Sequence, residues 1–393
     1  MRLPALLSGS LGILALLGCS SSDHADGPAS GYLVNAIAVA DIDANGLPDI
    51  LGMVSTSLGG AATQGYVSTR LQGSAGSFVL PTRFGVGSGP ANLILADLNG
   101  DGRPDLIVAN AGDQSLSVRL ADPSRPGFFQ PATVLATPGR RPLDVAAGDF
   151  DGDGRMDLVV AASGANSVLV FTQTATGAFN APLAYAVGGD PQAVVAADLD
   201  GNGRTDFAVA TTANTVSVLL QTGAGIFAPA VDYATGTQPV AIKAVDLNGD
   251  GRPDLLTANY GAAVGPTAQG LSVLLQGAPG TFLAPVHYAT GYRSTALAIG
   301  DLNGDGKVDV VVADSGLPGD PGGLSVFLQD PTTPGALLAP TSYRGSWGPM
   351  GVAIGDMDGD GFPDLVVADG DITVRLNSPT APGTFGPPLF FYN

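Results

Sequence analysis

The 393-residue sequence has no glutamate, one cysteine, two histidines and one tryptophan. Lysine and arginine number 16 against 35 acidic residues, all of them aspartate, and the formal net charge is −19. This shortage of basic residues argues against a nucleic-acid partner, because phosphate contacts need clustered Lys and Arg. The single Cys excludes an intrachain disulfide. Since Asp favours turns and Glu favours helices, we expect the negative charge to lie in loops.

What the sequence does contain favours short strands joined by turns. It has 57 glycines and 30 prolines, and 45% of its residues are hydrophobic, so it can bury a core. After the N-terminal segment, no stretch shows sustained helical periodicity. This combination predicts an all-β protein.

The N-terminal segment has the features of an export signal. Residues 1–18 carry one Arg followed by an apolar stretch too short to span a bilayer comfortably. The sequence Leu-Leu-Gly-Cys that ends at Cys19 resembles a bacterial lipobox, which implies lipidation of Cys19. Residues 19–30 would then be a lipidated, flexible tether. Because Ser20 is not Asp, the resemblance implies the outer membrane, although an ordinary cleaved signal peptide is the alternative.

One aspartate-rich motif organises the rest of the chain. The pattern D-x-[DN]-x-[DN]-G-x-x-D occurs seven times and holds 23 of the 35 aspartates. We call these segments loops 1 to 7 and number their positions 1 to 9. The loops are residues 41–49, 97–105, 149–157, 198–206, 246–254, 301–309 and 356–364.

Four short runs recur around each loop. One apolar run precedes it, a second follows it, and a third alternates, as in "VSVLLQ". A fourth often begins with Phe, as in "FAPAVDYATG". Four such runs separated by turn residues predict four antiparallel strands, and seven repeats predict a seven-bladed β-propeller rather than a solenoid, which would need capping repeats. The expected blades are residues 31–87, 88–139, 140–188, 189–236, 237–291, 292–345 and 346–393.

The repeats also carry a family resemblance. Segments such as "VAIGDMDGDGFPDLVVAD" resemble the FG-GAP/VCBS-type repeats of integrin α-subunit heads and many bacterial surface proteins. The resemblance covers about residues 31–393. It implies a seven-bladed propeller with Ca²⁺ in the loop between strands 1 and 2, and a role in adhesion or ligand binding.

The loop chemistry supports calcium independently of that resemblance. Ca²⁺ takes six to eight oxygen ligands, whereas Mg²⁺ prefers to keep several waters. Positions 1, 3, 5 and 9 offer side-chain oxygens, position 7 offers a carbonyl, and the Gly at position 6 permits the turn. The alternative is a set of Asp-rich turns held by hydrogen bonds alone. Up to seven structural ions would be held by Asp41, Asp43, Asn45, Leu47, Asp49, Asp97, Asn99, Asp101, Arg103, Asp105, Asp149, Asp151, Asp153, Arg155, Asp157, Asp198, Asp200, Asn202, Arg204, Asp206, Asp246, Asn248, Asp250, Arg252, Asp254, Asp301, Asn303, Asp305, Lys307, Asp309, Asp356, Asp358, Asp360, Phe362 and Asp364.

The sequence gives little support for catalysis. His24 lies in the tether, and His287 occupies a position that varies between repeats. The only Cys is assigned to the lipid, and a glycosidase would need two Asp in place of Glu. We therefore predict no enzyme and no catalytic residues, with a calcium-dependent, lyase-like polysaccharide-processing enzyme as the alternative.

The propeller topology predicts where a ligand would bind. The 2–3 turns and the links between blades share one face, and these segments vary in length and sequence. Aromatic and Arg side chains suit a sugar or peptide ligand. The alternative for the single Trp is packing between blades. We expect a monomer that contacts the membrane through its lipid only and binds a protein or carbohydrate through Tyr260, Tyr292, Arg293, Arg344 and Trp347.

Overall fold

The computed structural model describes residues 32–56, 64–261, 269–317, 319–345 and 347–391. All 34 regular elements in these residues are β-strands, as predicted. Within the same ranges there is no helix long and apolar enough to cross a membrane. The predicted signal peptide, Cys19 and tether lie outside the described residues.

The strands form seven four-stranded antiparallel sheets, which we call blades 1 to 7. Within each blade the four main strands pair in chain order. The first three blades contain β1 (Tyr32–Ala40), β2 (Asp49–Thr56), β3 (Gln64–Arg70) and β6 (Thr82–Ser88); β7 (Pro90–Ala96), β8 (Asp105–Asn110), β9 (Ser115–Arg119) and β10 (Thr133–Ala136); and β11 (Arg141–Gly148), β12 (Asp157–Ser163), β13 (Ser167–Phe171) and β14 (Leu183–Ala186).

The remaining four blades repeat this order. Blades 4 and 5 contain β15 (Pro191–Ala197), β16 (Asp206–Thr211), β17 (Thr215–Leu219) and β20 (Val231–Ala234); and β21 (Pro239–Val245), β22 (Asp254–Asn259), β23 (Leu271–Leu274) and β26 (Val286–Tyr288). Blades 6 and 7 contain β27 (Ser294–Gly300), β28 (Asp309–Asp314), β29 (Gly323–Phe327) and β30 (Thr341–Arg344); and β31 (Gly351–Gly355), β32 (Asp364–Asp369), β33 (Asp371–Arg375) and β34 (Leu389–Phe391).

Short hairpins decorate three of the 3–4 loops, which connect the third and fourth strands of a blade. In the other four loops a single β-bridge occupies the equivalent place. The hairpins are β4 (Gln72–Ser74) with β5 (Ser77–Phe78), β18 (Gln221–Gly223) with β19 (Ile226–Phe227), and β24 (Gln276–Ala278) with β25 (Thr281–Phe282).

The fourth strands differ from the sequence prediction in where they begin. The prediction started the fourth strand of blade 4 at Phe227, but this residue pairs with Gln221 in the β18–β19 hairpin. The fourth strand itself starts at Val231. Pro229 lies between the two pieces, and because proline has no N–H to give to a ladder, it separates hairpin from strand.

The seven blades close into a ring, which confirms the predicted seven-bladed propeller. The first strand of each blade lies against the first strands of both neighbours, and β31 of blade 7 lies against β1 of blade 1. Across this last seam the Val34 N–H donates to the Gly370 carbonyl at 3.2 Å. Since β34 supplies the fourth strand of blade 7, the ring closes without a strand borrowed from the N-terminus.

The hydrophobic core lies between blades. The second strands of blades 2, 4, 5, 6 and 7 are buried along their whole length, because neighbouring sheets cover both of their faces. Edge-to-face aromatic pairs join blades farther out, for example Tyr185 of blade 3 and Phe227 of blade 4, whose ring centroids are 5.1 Å apart. Comparable pairs cross the next seams, namely Tyr233–Phe282, Tyr288–Phe327 and Tyr343–Phe385.

Hydrogen bonds define the two faces of the ring. On one face, which we call the loop face, the 1–2 loops contact the 3–4 loops of the next blade, as where the Gly127 N–H donates to the Ile42 carbonyl at 3.2 Å. On the opposite face, the link face, blade-to-blade links contact the 2–3 turns. There the Tyr260 N–H donates to the Gln238 carbonyl at 2.9 Å. The seven aspartate motifs therefore share the loop face.

Candidate metal centres

The position-1 side chain folds each loop around itself. In loop 3, Asp149 accepts hydrogen bonds from the N–H groups of Gly152 (2.6 Å), Asp153 (3.1 Å) and Gly154 (2.9 Å). Such bonds from nearby backbone groups are the usual reason for Asp in tight turns. The bond from the position-6 N–H to position 1 occurs in all seven loops, at 2.8 to 3.0 Å.

Two positions of each loop adopt left-handed backbone conformations. Position 6 is always Gly, with φ between 80° and 91°. Position 4 is Gly in six loops, with φ between 73° and 78°, but in loop 1 it is Ala44 at φ 62°. The left-handed conformation costs a residue with a Cβ about 1 kcal/mol, so loop 1 carries backbone strain that the other six loops avoid.

Position 9 is the buried anchor of each loop. All seven position-9 aspartates are fully buried. One carboxylate oxygen accepts the position-2 N–H at 2.8 to 3.1 Å. The other oxygen accepts an N–H just after strand 3 of the same blade, at 2.6 to 2.8 Å. The sequence predicts this residue as a metal ligand, and in the structure it ties the 1–2 loop to the 3–4 loop.

Burial disfavours the charged form of these anchor carboxyls when no cation is bound. Desolvation raises the pKa of the position-9 carboxyl, while its two N–H bonds oppose the shift. The charged neighbours that act on it most are aspartates of its own loop, which raise the pKa further. A bound cation would reverse this balance. The pKa is raised to about 6 in Asp49, Asp105, Asp157, Asp206, Asp254 and Asp364, and is also raised in Asp309.

Four loops bring three carboxylates to one point. In loops 1, 3 and 4 these are positions 1, 3 and 9, and in loop 7 they are positions 1, 3 and 5, with ligand oxygens within 4.8 Å of one another. Two oxygens bound to one Ca²⁺ at about 2.3–2.6 Å lie at most about 5 Å apart, so the spacing fits one ion. Loops 2, 5 and 6 have Asn at position 3, whose amide oxygen can replace a carboxylate.

In three loops an Arg at position 7 pairs with the position-5 carboxylate. Arg103 and Arg252 pair with the position-5 aspartates of loops 2 and 5 at 2.7 and 2.6 Å, and Arg155 pairs with Asp153 in loop 3. The Arg103 hydrogen bond lowers the pKa of the Asp101 carboxyl. In loop 7, position 7 is Phe362, and there the position-5 carboxylate joins the cluster.

Hydrogen-bonded turns and metal sites are compatible descriptions of these loops. The N–H bonds expected for plain Asp-rich turns are present. A carboxylate has about four lone-pair sites, so even Asp149 with its three N–H bonds, and each position-9 group with its two, keeps a site that can face a cation. The convergence of three carboxylates, with anchors of raised pKa beside them, is a donor set of the kind that hard divalent cations take. The Asp clusters could therefore hold metal ions.

The link face brings the predicted aromatic and arginine residues to blades 5 to 7. Arg293 lies over the Tyr260 ring, with its guanidinium carbon 5.6 Å from the ring centroid. The carbonyls of Tyr292 and Arg293 accept the N–H groups of the 2–3 turn of blade 6 at 3.0 Å. The Arg344 side chain is exposed. The half-buried Trp347 donates its backbone N–H to the Asp369 carboxylate at 2.6 Å, and its side chain lies against Gly370.

His287 lies on β26, at the outer edge of blade 5. Its ring is partly buried, which lowers its pKa, and Nδ1 lies 3.0 Å from the Ser272 hydroxyl. His24 lies outside the described residues.

A family model matches most of the repeat region. FG-GAP-like repeats match residues 97–160, 149–209, 198–257, 262–312 and 301–367. The chain belongs to the FG-GAP-like repeat family. A search of the curated proteins finds no match.

Solved structures with the same fold share little sequence with this FG-GAP protein. BBS1N, in a complex with ARL6DN, is 12% identical with a TM-score of 0.56, over 90% of this chain and 94% of that one. A protein from Lactobacillus plantarum is 16% identical with a TM-score of 0.53, over 79% and 84%. A protein from Bacteroides uniformis ATCC 8492, provisionally assigned as a 6-phosphogluconolactonase, is 13% identical with a TM-score of 0.58, over 87% and 97%. These likenesses show the fold alone.

One set of buried residues in the FG-GAP repeats was not predicted from the sequence. An amide side chain follows strand 3 in six of the seven blades, and each is buried. The recurrence of Gln at the end of runs such as "VSVLLQ" was the available signal, but no local pattern shows that the side chain reaches the preceding blade. These residues are Gln72, Gln173, Gln221, Gln276, Gln329 and Asn377.

Proposed function

We propose that this FG-GAP propeller is a calcium-stabilised binding module, anchored to the bacterial envelope through a lipid on Cys19. The calcium part rests on the loop face, where three carboxylates converge in four loops. Positions 1, 3, 5, 7 and 9 would hold each ion. A bound Ca²⁺ would neutralise the crowded carboxylates and lock the first two strands of the blade together. Seven ions would change the formal charge from −19 to −5.

The binding part of the proposal rests on the link face. Arg293 stacked on Tyr260 presents a planar cation and an aromatic surface side by side. The half-buried Trp347 and the exposed Arg344 add a second aromatic and a second cation on the neighbouring link. Aromatic faces with Arg favour glycan or peptide ligands, in which apolar and polar surfaces alternate. We propose that this patch contacts the ligand, with the outer membrane as the site of anchoring.

The experiment that tests the binding role uses the mature chain on a glycan library and on bacterial surface extracts. Wild type should be retained in calcium, and the double variant Arg293→Ala/Trp347→Ala should lose retention. Arg83→Ala/Tyr66→Ala, which removes another Arg stacked on Tyr, is the matched control and should keep it. Equal retention by both variants would refute the patch, and release of unsaturated sugar products would identify a lyase instead.

A further inference from the structure

Six buried Gln and Asn side chains on the loop face each join two neighbouring loops of the set 1 to 7. In blade 5, the backbone N–H of Gln276 donates to the position-9 Asp254 of its own blade at 2.7 Å. Its side-chain Nε2 donates at 2.7 Å to the carbonyl of Leu199, which is position 2 of loop 4. Leu199 in turn donates its N–H to the position-9 Asp206 of loop 4 at 2.8 Å. The anchors of loops 4 and 5 are thus connected by three consecutive hydrogen bonds. We call the inter-blade bond from the amide side chain a clasp.

The same arrangement recurs around the ring. Each amide is at most 6% exposed, so its inter-blade bond is made away from water, where leaving a partner unbonded costs most. The other clasps run from Gln72 to Met357 (2.5 Å), Gln173 to Leu98 (3.1 Å), Gln221 to Phe150, Gln329 to Leu247 (2.5 Å) and Asn377 to Leu302 (2.8 Å).

One seam lacks the clasp. Blade 2 has Ala121 where the other blades have Gln or Asn. The position-2 carbonyl of loop 1, that of Ile42, accepts the Gly127 backbone N–H, a bond whose equivalents from Gly76 and Gly280 accompany the clasps at Met357 and Leu199. The clasped loops therefore form an open series, in the order 2, 3, 4, 5, 6, 7 and 1. Loop 4 has clasped neighbours on both sides, whereas loop 1 has one, loop 7.

The position-2 residue lies inside the motif, between two expected ligands. A cation that orders positions 1 and 3 would fix the backbone between them, including the carbonyl that the clasp holds. A clasp that fixes this carbonyl would in turn lower the cost of ordering the loop. Because such coupling is reciprocal, each loop would affect the affinity of the next.

We propose that the amide clasps couple neighbouring metal loops, so that a divalent cation in one loop strengthens binding in the loops clasped to it. This inference rests on the proposed calcium function. The coupling would make calcium binding cooperative along the series of clasped loops. The missing clasp would interrupt this cooperativity at the seam between blades 1 and 2.

Loops 1 and 4 are compared in the test, since both have Asp, Asp and Asn at positions 1, 3 and 5 and differ at position 4, which is Ala44 in loop 1 and Gly201 in loop 4. Calcium binding to the full mature chain is measured by isothermal titration for wild type, Asp198→Asn in loop 4 and Asp41→Asn in loop 1. Each substitution removes one position-1 carboxylate while keeping an acceptor for the turn. If the loops are coupled, the midpoint for the remaining sites rises about two- to fivefold in Asp198→Asn, and less in Asp41→Asn.

A second pair of variants tests the clasp without touching a ligand. Gln276→Ala should raise the calcium midpoint and should lower the melting temperature more in calcium than in EGTA. Gln192→Ala removes another buried amide, one bonded within its own blade to Pro191, and should leave the midpoint unchanged. The expected rise for Gln276→Ala is roughly three- to tenfold at the loop it clasps, the value of one hydrogen bond.

The outcomes separate this inference from the function on which it rests. Calcium uptake with unchanged midpoints in Asp198→Asn, or equal behaviour of Gln276→Ala and Gln192→Ala, would refute the coupling and leave the calcium role standing. Absence of calcium uptake by wild type would refute both.

Discussion

The two faces of this propeller differ in how regularly their hydrogen bonds recur from blade to blade. On the loop face the same hydrogen bonds recur blade after blade, from position 6 to position 1 and from position 2 to position 9. On the link face the backbone bonds from the 2–3 turn to the link recur in blades 2, 5 and 6, but the side chains that hold the links differ. Asp190 caps the 2–3 turn of blade 3, and Asp369 holds the link at Trp347. The comparison teaches that the loop face maintains the ring and leaves the link face free to diversify.

The largest effect should come from a position-9 anchor on the loop face. Asp206→Ala leaves the buried N–H groups of Leu199 and Gln221 without an acceptor, so the free energy of unfolding in EGTA should fall by about 4 kcal/mol. Asp198→Asn keeps an acceptor at a half-buried position and should cost about 1 kcal/mol or less in EGTA. Urea unfolding of both variants measures the difference. Equal costs would mean that position 9 has no structural role beyond that of position 1.

The link face offers a buried carboxyl of its own, Asp314, for contrast. It accepts bonds from the Gly291 N–H (3.0 Å) and from the hydroxyls of Ser294 (2.8 Å) and Ser325 (2.6 Å), and burial raises its pKa to about 6. A folded-state pKa above the unfolded value of about 3.8 gives stability that is complete below about pH 3.8 and is lost as the pH rises through 6.

Asp314→Asn should remove this pH dependence. The free energy of unfolding of wild type relative to the variant should fall by about 2 kcal/mol between pH 4 and pH 6.5. The shift should be equal in calcium and in EGTA, because the carboxyl is on the link face. Asn occupies the equivalent place in blades 2 and 5, at Asn110 and Asn259, so the variant should fold. Urea unfolding of both proteins across this pH range measures the stability difference. A difference that does not change with pH, or that depends on calcium, would contradict the raised pKa of Asp314.

The smallest effect concerns the one irregular loop on the loop face. Ala44→Gly should relieve the left-handed strain in loop 1 and raise the free energy of unfolding by about 1 kcal/mol. Gly152→Ala, at position 4 of loop 3, is the reverse control and should lower it by a similar amount. Calorimetry in EGTA checks both. A destabilising Ala44→Gly would show that loop 1 accommodates its Ala without strain.

The sequence predicted the regular face well, because a loop that binds its own backbone is a local structure. Seven motifs, four runs per repeat and Gly at position 6 sufficed to place the blades and the loops on one face. The clasps were not predictable in this way: Gln276 and Leu199 are 77 residues apart, and nothing local to either names the other as its partner.

Local sequence patterns also fail to predict which residues of the inner strands form buried polar contacts. Lys243 lies within the apolar run "VAIKAV" but is buried in the ring, where desolvation lowers its pKa to about 8. Its electrostatic partner is Asp144 of blade 3, which also accepts bonds from Asn92 of blade 2 and the Val194 N–H of blade 4. A period of about 50 residues identifies the strand but not which inward positions are polar. The link-face patch was placed by topology, whereas the stacking of Arg293 on Tyr260 required the structure.

The central claim, that divalent cations on the loop face hold this FG-GAP ring together, is tested most directly by calorimetry of the protein. Melting in 5 mM calcium is compared with melting in EGTA at the same ionic strength. Seven sites that bind only the folded chain should raise the melting temperature by about 10 °C or more. A melting temperature that is the same with calcium and with chelator would contradict the account.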